Sequence, residues 1–244
     1  MSNDPVSISP PIILASTSPR RRELLARLGL PFTIIPADVD ESPFPNEMPE
    51  ALALRLALAK ALAVREIVRS DDTRFVDLRN PNFTPDGQKD SGPIIIAADT
   101  VVALGSELLG KPGDAEEANA MIRSLIGREH VCLTGLVVAR NNQIETAINR
   151  SQVWLRLLSD EEIRAYVASG DPLDKAGGYG IQNPAFRPVD RMIGCRCSIM
   201  GLPLGTVSTM LLRFGVSPVN VMPNACPQDA YSIEACETPI LRLA

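Results

Sequence analysis

The chain has 244 residues, of which 45% are hydrophobic and 22% are charged, with a formal net charge of -5 and one histidine. These values exclude a disordered or collagen-like chain, argue against a general nucleic-acid binder, and indicate a globular protein of one large or two small domains. Because His130 is the single histidine, no multi-histidine zinc site can form, so carboxylates, lysines and arginines must carry any catalysis.

The N-terminal residues predict a compact unit of strand, turn and helix. The run IILA at 12–15 is typical of a short buried strand, and Ser18 followed by Pro19 is a signature of a helix start. We expect this helix to end at Gly29 and a second strand at 32–37 to lead into an acidic turn. The first residues do not resemble a signal peptide and no stretch is apolar enough to span a membrane, so we expect neither export nor membrane insertion.

A long helix and a long loop precede the central strand. Strong helix formers fill residues 47–69, which are predicted to be helical, whereas residues 71–93 contain aspartate, proline and glycine with little periodicity and are predicted to form a surface loop. The β-branched run at 94–104 predicts a strand. Asp114 and Glu117 have the spacing of a capping box, which predicts the start of the next helix.

The second half of the chain alternates strands and helices around a glycine-rich segment. The predicted elements are a strand at 130–140, a strand at 143–157, a helix from Ser159, the glycine-rich segment at 174–182 and a helix at about 204–214. Ser159 and Glu162 have the spacing of a capping box. The glycine-rich segment is interpreted either as a backbone that approaches a ligand closely or as an ordinary flexible loop. His130 begins an apolar strand and is interpreted as structural. The five scattered cysteines predict reduced thiols in a cytoplasmic protein. We expect residues 12–216 to form one domain and residues 217–244 to form a C-terminal appendage rich in proline and polar residues.

Three arginines occupy positions that local stability does not favour. Arg20, Arg21 and Arg22 lie in the first turn of the predicted helix, where the positive end of the helix dipole disfavours cations. A phosphate cradle explains this placement, since a helix N-terminus, the hydroxyls of Ser16 and Ser18, and guanidinium groups all bind phosphate. The alternative is that the three arginines point into water.

A carboxylate inside an apolar strand is the second anomaly. Asp99 would need a compensating group there, and it is interpreted either as a hydrogen-bonded residue at a bulge or as a general base or metal ligand in a cleft. Lys111 lies between glycine and proline and is a candidate positioned cation. Lys60 either snorkels or faces a ligand. Glu41 in the acidic turn offers oxygen ligands to Mg²⁺, or is simply solvated.

Eight motifs occur in order along the chain and together resemble one family. They are ILASTSPRRRELLARLG at 13–29, DVDE at 38–41, RLALAKA at 55–61, AADTVV at 97–102, GKP at 110–112, TG at 134–135, DKAGGYGIQ at 174–182 and GLPL at 201–204. From Ile12 to about Phe214 the chain is similar to the Maf family of nucleoside triphosphate pyrophosphatases. The resemblance implies an elongated α/β fold of the Maf/ITPase-like type, with a mixed sheet, flanking helices and two lobes around a central cleft. It also implies hydrolysis of a nucleoside triphosphate to the monophosphate and pyrophosphate with a divalent cation, Mg²⁺ or Mn²⁺.

The resemblance also assigns roles to residues at matching motif positions. It implies that Asp99 is the catalytic carboxylate and, with Glu41, a metal ligand. It implies that the triphosphate is bound by Ser16, Ser18, Arg20, Arg21, Lys60 and Lys111. Two features depart from the family, namely the length of the loop at 71–93 and Asn183–Pro184 in place of a glycine after the glutamine.

Three positions distinguish the branches of this family. A branch resembling 7-methyl-GTP pyrophosphatases carries Trp, Gln and Glu where this chain has Arg20, Thr100 and Gln182, so the chain is similar to the branch acting on dTTP and UTP. Two alternatives stay open, a 7-methyl-GTP pyrophosphatase and a non-catalytic nucleotide-binding regulator of cell division. We expect a nucleoside triphosphate as partner, no nucleic acid and no membrane, and we leave a homodimer open.

Overall fold

The computed structural model describes residues 10–70 and 92–220 and the backbone of Ile240–Arg242. The strands are β1 (Ile12–Leu14), β2 (Thr33–Ile34), β3 (Ile94–Leu104), β4 (Glu107–Leu109), β5 (Glu129–Arg140), β6 (Gln143–Leu155), β7 (Val189–Ile193) and β8 (Ile240–Arg242). The α-helices are α1 (Pro19–Ala26), α2 (Pro49–Arg69), α3 (Ala115–Leu125), α4 (Asp160–Ala168), α5 (Arg196–Ile199) and α6 (Leu204–Arg213). Two 3₁₀ turns lie at Asp171–Asp174 and Ala176–Gly178.

All eight strands belong to one mixed sheet. Its main order is β2-β1-β3-β5-β6-β7, with β4 paired to β3 and β8 paired to β6. The pairs that β1 makes with β2 and β3 are parallel, whereas the other strand pairs are antiparallel. Helices cover both faces of the sheet, so the predicted α/β fold with a mixed sheet and flanking helices is confirmed.

The alternation of side chains along β3 explains how helices come to lie on both faces. Ile94 and Ile96 pack in a cluster with Leu24 of α1 and residues of α6, while Ile95 packs on the other face in a cluster with Ala57 of α2. Successive side chains of a strand point to opposite faces, so an unbroken apolar strand needs a covering layer on each side. The core therefore has two layers, one filled by residues of α1 and α6 and the other by residues of α2.

A glycine allows α2 to approach the sheet closely. A Cβ atom at Gly135 of β5 would overlap the backbone carbonyl of Ala53 and would lie 2.8 Å from the Cα atom of Leu54. The obstructing atoms belong to the helix backbone and cannot move without moving the helix. Gly135 therefore fixes the distance between α2 and the sheet.

The structure differs from the sequence-based expectations mainly in its short elements. The strand predicted at 32–37 is reduced to β2, and β7 and α5 had no prediction. Asp114 caps α3 as expected, because its Oδ1 accepts from the Glu117 N–H at 2.8 Å. The carboxylate of Glu117 accepts from Gly113 at 2.7 Å and so does not complete the predicted capping box. The capping box predicted for Ser159 and Glu162 is complete at the start of α4.

The predicted loop at 71–93 and the predicted appendage at 217–244 are only partly described by the structure. Residues 71–91 and 221–239 lie outside the described residues, so the surface loop stays a prediction. Just after the predicted domain boundary, the Val219 N–H donates to the Leu28 carbonyl at 3.0 Å. Further on, β8 pairs with β6. The backbone of the tail therefore contacts the main sheet at one point and the end of α1 at another.

The single histidine lies in the core next to Tyr179. His130 is 1% exposed, and its Nε2 lies 2.7 Å from the hydroxyl oxygen of Tyr179. Burial lowers the pKa of His130 to about 4, against smaller opposite effects of a backbone hydrogen bond with Arg128 and of the charge of Glu129. The imidazole is therefore neutral in the folded protein at pH 7.

A neutral buried histidine predicts a specific loss of stability in acid. The unfolded state binds the proton more tightly than the folded state. The neutral His130 therefore contributes to the free energy of unfolding above about pH 6.5, and about 3 kcal/mol of stability is lost as the pH falls to about 4. We expect His130→Gln to lack this acid-dependent loss of stability when free energies of unfolding are measured in urea at pH 7 and pH 4. Equal pH dependence in the variant and the wild type would contradict the assignment.

Candidate active site

The candidate site lies where one edge of β3 is uncovered. On this edge β1 pairs with Ile94–Ile96 and β4 pairs with Val102–Leu104, and within the described ranges no strand pairs with residues 97–101 there. Ile96 directs its carbonyl toward β1, accepting from Ala15, so by alternation the backbone groups of residues 98 and 100 face the gap. The gap opens into a cleft of about 640 Å³.

Every residue that the sequence assigned to the site lines this cleft. They are Ser16, Ser18, Arg20, Arg21, Glu41, Lys60, Asp99, Thr100, Lys111 and Gln182. Arg22 is exposed and does not line the cleft. The first turn of α1 therefore directs two of its three arginines toward the site and one to solvent.

A buried ion pair lies at the floor of the cleft. The Nζ atom of Lys60 is 2.5 Å from Oδ1 of Asp99 and 2.6 Å from Oε1 of Glu41. Lys60 and Asp99 are 7% and 8% exposed, so Lys60 does not snorkel to the surface. The ammonium group supplies the compensation that a carboxylate in an apolar strand requires. Two carboxylates thus meet at one cation.

Glu41 reaches this point from the segment between β2 and α2. Partial burial raises the pKa of Glu41, but the hydrogen bond and charge of Lys60 outweigh it, together with the charges of Lys111 and Arg21. The net pKa of Glu41 is lowered, so this carboxylate is ionised at neutral pH. It is therefore able to bind a cation.

The turn before α1 orients a hydroxyl group toward the cleft. Ser16 Oγ accepts from the Ser18 N–H at 3.2 Å and from Nη1 of Arg21 at 3.3 Å. A hydroxyl group has two lone pairs and one proton, and here both lone pairs are used. Ser16 is therefore left as a donor, which is the group that an anionic oxygen requires.

Arg21 forms hydrogen bonds with two residues of the cleft wall, Gly201 and Thr100. Its Nε donates to the Gly201 carbonyl at 2.9 Å, and its Nη2 donates to Oγ1 of Thr100 at 3.3 Å. Thr100 Oγ1 is 3.0 Å from Oγ1 of Thr134, which donates to the Ser198 carbonyl at 2.8 Å. Because Thr134 uses its proton on Ser198, the proton between the two threonines comes from Thr100.

The same burial that fixes Arg21 affects its ionisation. Desolvation lowers the pKa of Arg21, and the charges of Asp99 and Glu41 act in the opposite direction. With the Ser16 contact, three of the five guanidinium N–H groups are bonded within the protein. Arg21 thus has a structural role that the resemblance did not imply, and it keeps two donors for a ligand.

The glycine-rich segment forms the opposite wall. Lys175 is 7% exposed, and its three ammonium protons are directed to the Asp171 carbonyl, the Asp171 carboxylate and the Asp174 carboxylate at 2.6 to 2.7 Å. Asp174 also lies 3.7 Å from Nη1 of Arg20 across the cleft. Gly177 has φ +76° and donates to the Gly110 carbonyl, which attaches this wall beside Lys111.

The departure at Asn183–Pro184 has a structural basis. Asn183 Nδ2 donates to Oδ2 of Asp171 at 3.1 Å, and its Oδ1 accepts from the Phe186 N–H at 2.8 Å. Oδ2 of Asp171 also accepts from the Tyr166 hydroxyl at 2.6 Å. Asn183 therefore joins the end of the glycine-rich wall to the residue that holds Lys175.

Sequence reasoning did not assign Lys175 and Thr134 to the site. Lys175 lies in the segment predicted to approach a ligand, so its position was a usable signal. Thr134 belongs to the TG motif at 134–135 but received no role, because its contact with Thr100 depends on the register of β5 against β3.

The donor set of the cleft fits a hard divalent cation. Within the described part of the chain, no three histidine, cysteine, aspartate or glutamate side chains are grouped as a metal site. Glu41 and Asp99 nevertheless converge on one point, and Mg²⁺ is commonly held by one or two carboxylates with substrate phosphates and water. The site therefore matches a cation that arrives with a phosphate-bearing ligand. Separately, none of the described helices is long and apolar enough to cross a membrane.

Known proteins resemble this chain over most of its length. A family profile described as Maf-like protein matches residues 11–214. The dTTP/UTP pyrophosphatase of Myxococcus xanthus is 44% identical over 205 residues, which cover 84% of this chain and 93% of the relative. Those of Thermomicrobium roseum and Anaeromyxobacter dehalogenans are both 41% identical, covering 89% and 85% of this chain and 92% and 96% of the relatives.

Proposed function

Since the chain belongs to the Maf family, we propose that it hydrolyses nucleoside triphosphates, preferentially dTTP and UTP, to the monophosphate and pyrophosphate. The observation that carries this proposal is the pair of Asp99 and Lys60 on the floor of a cleft with cationic walls. Phosphoryl transfer depends on positioning and on stabilising charge, so it suits a site built from carboxylates, lysines and arginines.

Asp99 is the proposed catalytic carboxylate. It would orient or deprotonate the water that attacks the α-phosphorus, which is the work of a positioned general base. A divalent cation bound by Glu41 and Asp99 would neutralise the triphosphate. Lys60 contacts both carboxylates and so keeps them together in the absence of that cation.

Three further side chains are proposed to bind the triphosphate. Ser16 offers its hydroxyl proton, because both of its lone pairs are used within the protein. Arg20 forms an ion pair of 3.7 Å with Asp174, and its guanidinium group carries five donors. Lys111 lies close enough for its charge to lower the pKa of Glu41. The positive charges of Arg20 and Lys111 would stabilise the leaving pyrophosphate.

The base preference is proposed to depend on Arg20, Thr100 and Gln182. All three line the cleft, and the relatives named dTTP/UTP pyrophosphatase support the pyrimidine preference. Asp174 holds Arg20 from the opposite wall. The two walls of the cleft would therefore act together on the base.

Pyrophosphate release from a panel of nucleotides tests the proposal. We expect release from dTTP and UTP with Mg²⁺, little release from 7-methyl-GTP, and loss of activity in EDTA, because the charge of the triphosphate then lacks its neutralising cation. A larger rate on 7-methyl-GTP would favour the other enzymatic branch. Binding of dTTP without any pyrophosphate release would favour the non-catalytic regulator, against which the Asp99 and Lys60 pair argues.

A further inference from the structure

The segment that carries Glu41 contains no helix or strand of its own. We call residues 38–47, which join β2 to α2, the Glu41 segment. Its internal hydrogen bonds are local. The Ser42 N–H donates to the Asp40 carboxylate at 2.9 Å, the Glu47 N–H donates to the Phe44 carbonyl at 3.0 Å, and the Phe44 N–H donates to the Glu47 carboxylate at 3.0 Å. Such bonds shape the turn but do not fix its position against the sheet. Its position must depend on side chains of other elements.

One arginine of α2 contacts this segment at three residues. Arg55 donates through Nε and Nη2 to both carboxylate oxygens of Glu47, at 2.6 and 2.7 Å. Nη2 also donates to the backbone carbonyl of Ser42 at 2.9 Å. The guanidinium carbon lies 4.0 Å from the centre of the Phe44 ring. The carbonyl of Ser42 follows Glu41 directly, so Arg55 fixes the backbone next to the residue that reaches the cleft.

The geometry requires a guanidinium group. Both protons of Nη2 are used, one on Glu47 and one on Ser42, while the planar face covers Phe44. A lysine has one point of charge and can neither bridge two carboxylate oxygens in this way nor stack as a plane. The hydrogen bonds from Arg55 lower the pKa of Glu47 to about 2, so this ion pair persists through the neutral range.

We propose that Arg55 is a positioning residue for Glu41: it holds the Glu41 segment against α2 so that the carboxylate of Glu41 stays at Lys60 and Asp99. Arg55 does not line the cleft, and its side chain contacts the segment through Glu47, Ser42 and Phe44. Arg55 and Lys60 are both residues of α2, so the helix that holds the Glu41 segment also carries the lysine that Glu41 contacts. This inference rests on the proposed function, because Glu41 is a proposed ligand of the metal and triphosphate.

A double-mutant cycle tests the proposal. We expect Arg55→Lys to lower kcat/KM for dTTP by about tenfold or more, since a displaced catalytic group is costly. Arg69→Lys is the matched control, because Arg69 lies on the same helix and pairs with Glu66 far from the segment, and it should change kcat/KM by less than about twofold. Combining Arg55→Lys with Glu41→Gln should cost no more than about twofold beyond Glu41→Gln alone.

Hydrogen exchange supplies a readout that is independent of turnover. In the full-length protein, amide exchange in residues 38–47 should be faster in Arg55→Lys than in Arg69→Lys, with the rest of α2 unchanged. Glu47→Gln, which keeps Arg55 but weakens both the ion pair and the bond from the Phe44 N–H, should speed exchange in the same residues. A global loss of protection would instead indicate a general stability effect and would overturn the positioning role.

The outcomes separate the two proposals. If the wild type releases no pyrophosphate from any nucleotide, the proposed function fails, and the exchange data alone decide whether Arg55 holds the segment. If the wild type is active and Arg55→Lys behaves like Arg69→Lys in rate and exchange, the positioning role is refuted. The positioning role is also refuted if the fold-losses in kcat/KM of Arg55→Lys and Glu41→Gln multiply in the double mutant, because Arg55 would then act independently of Glu41.

Discussion

Asp99→Asn is expected to lower pyrophosphate release from dTTP by about 10²- to 10⁴-fold, the range typical of losing a positioned general base. The amide has nearly the shape of the carboxylate but cannot take a proton from water. Because the substituted side chain is neutral, Lys60 would keep only Glu41 as an ionised partner in the floor of the cleft. Single-turnover rates with saturating dTTP separate this loss of chemistry from a loss of affinity.

The control for this experiment is a carboxylate of equal size outside the cleft. Asp114→Asn removes one charge at the N-cap of α3, where asparagine caps about as well as aspartate, so activity and stability should be nearly unchanged. Calorimetric titration should still detect dTTP binding to Asp99→Asn. An unchanged kcat in that variant would remove Asp99 from the proposed chemistry.

Gly135→Ala is expected to be the most destabilising single methyl addition beneath the site. The new Cβ atom would overlap the Ala53 carbonyl and approach Leu54 Cα, so α2 must shift away from β5. Overpacking of this kind costs about 1–3 kcal/mol. Gly135 is also the register partner of Asp99, and α2 carries Lys60, so turnover should fall with stability.

Gly110→Ala is the matched glycine control for stability. Apart from Gly110 and its two chain neighbours, no atom of the described residues lies within 4 Å of a Cβ atom built there, and the φ of Gly110 is not in the left-handed range. Unfolding in urea should show a small change for Gly110→Ala and a much larger one for Gly135→Ala. A free energy of unfolding for Gly135→Ala within about 0.5 kcal/mol of the wild type, the range of an ordinary surface substitution, would mean that α2 does not depend on this close approach.

Local sequence signals predicted the long elements because their causes are local. Helix formers across residues 47–69 predicted α2, and serine with glutamate three residues later predicted the start of α4 at Ser159. The missed strand β7 depends on pairing with β6, from which it is separated by α4 and the glycine-rich wall. Such pairing leaves no periodic trace in five residues, so no local rule could find it.

The site residues were recognisable, but most of their partners were not. Asp99 and the arginines at the start of α1 violate local rules, and those violations indicated a functional site. That Lys60 compensates Asp99 depends on how α2 crosses the sheet, which Gly135 controls from a third element. Arg55 begins the RLALAKA motif but received no role from the sequence, since an arginine on a helix normally faces solvent. Its role follows from three contacts made by a segment without regular structure.

Because one edge of β3 is uncovered, the length of β1 determines how much of that edge a ligand can reach. β1 stops at Leu14, and the turn through Ser16 and Ser18 takes the chain away into α1. Each further residue of β1 would cover about 3.3 Å of its neighbour, so two more would screen the backbone beside Asp99 from a ligand. Access to the proposed site therefore depends on where β1 ends, and Ser16, which lies just beyond that end, is a residue proposed to bind the triphosphate.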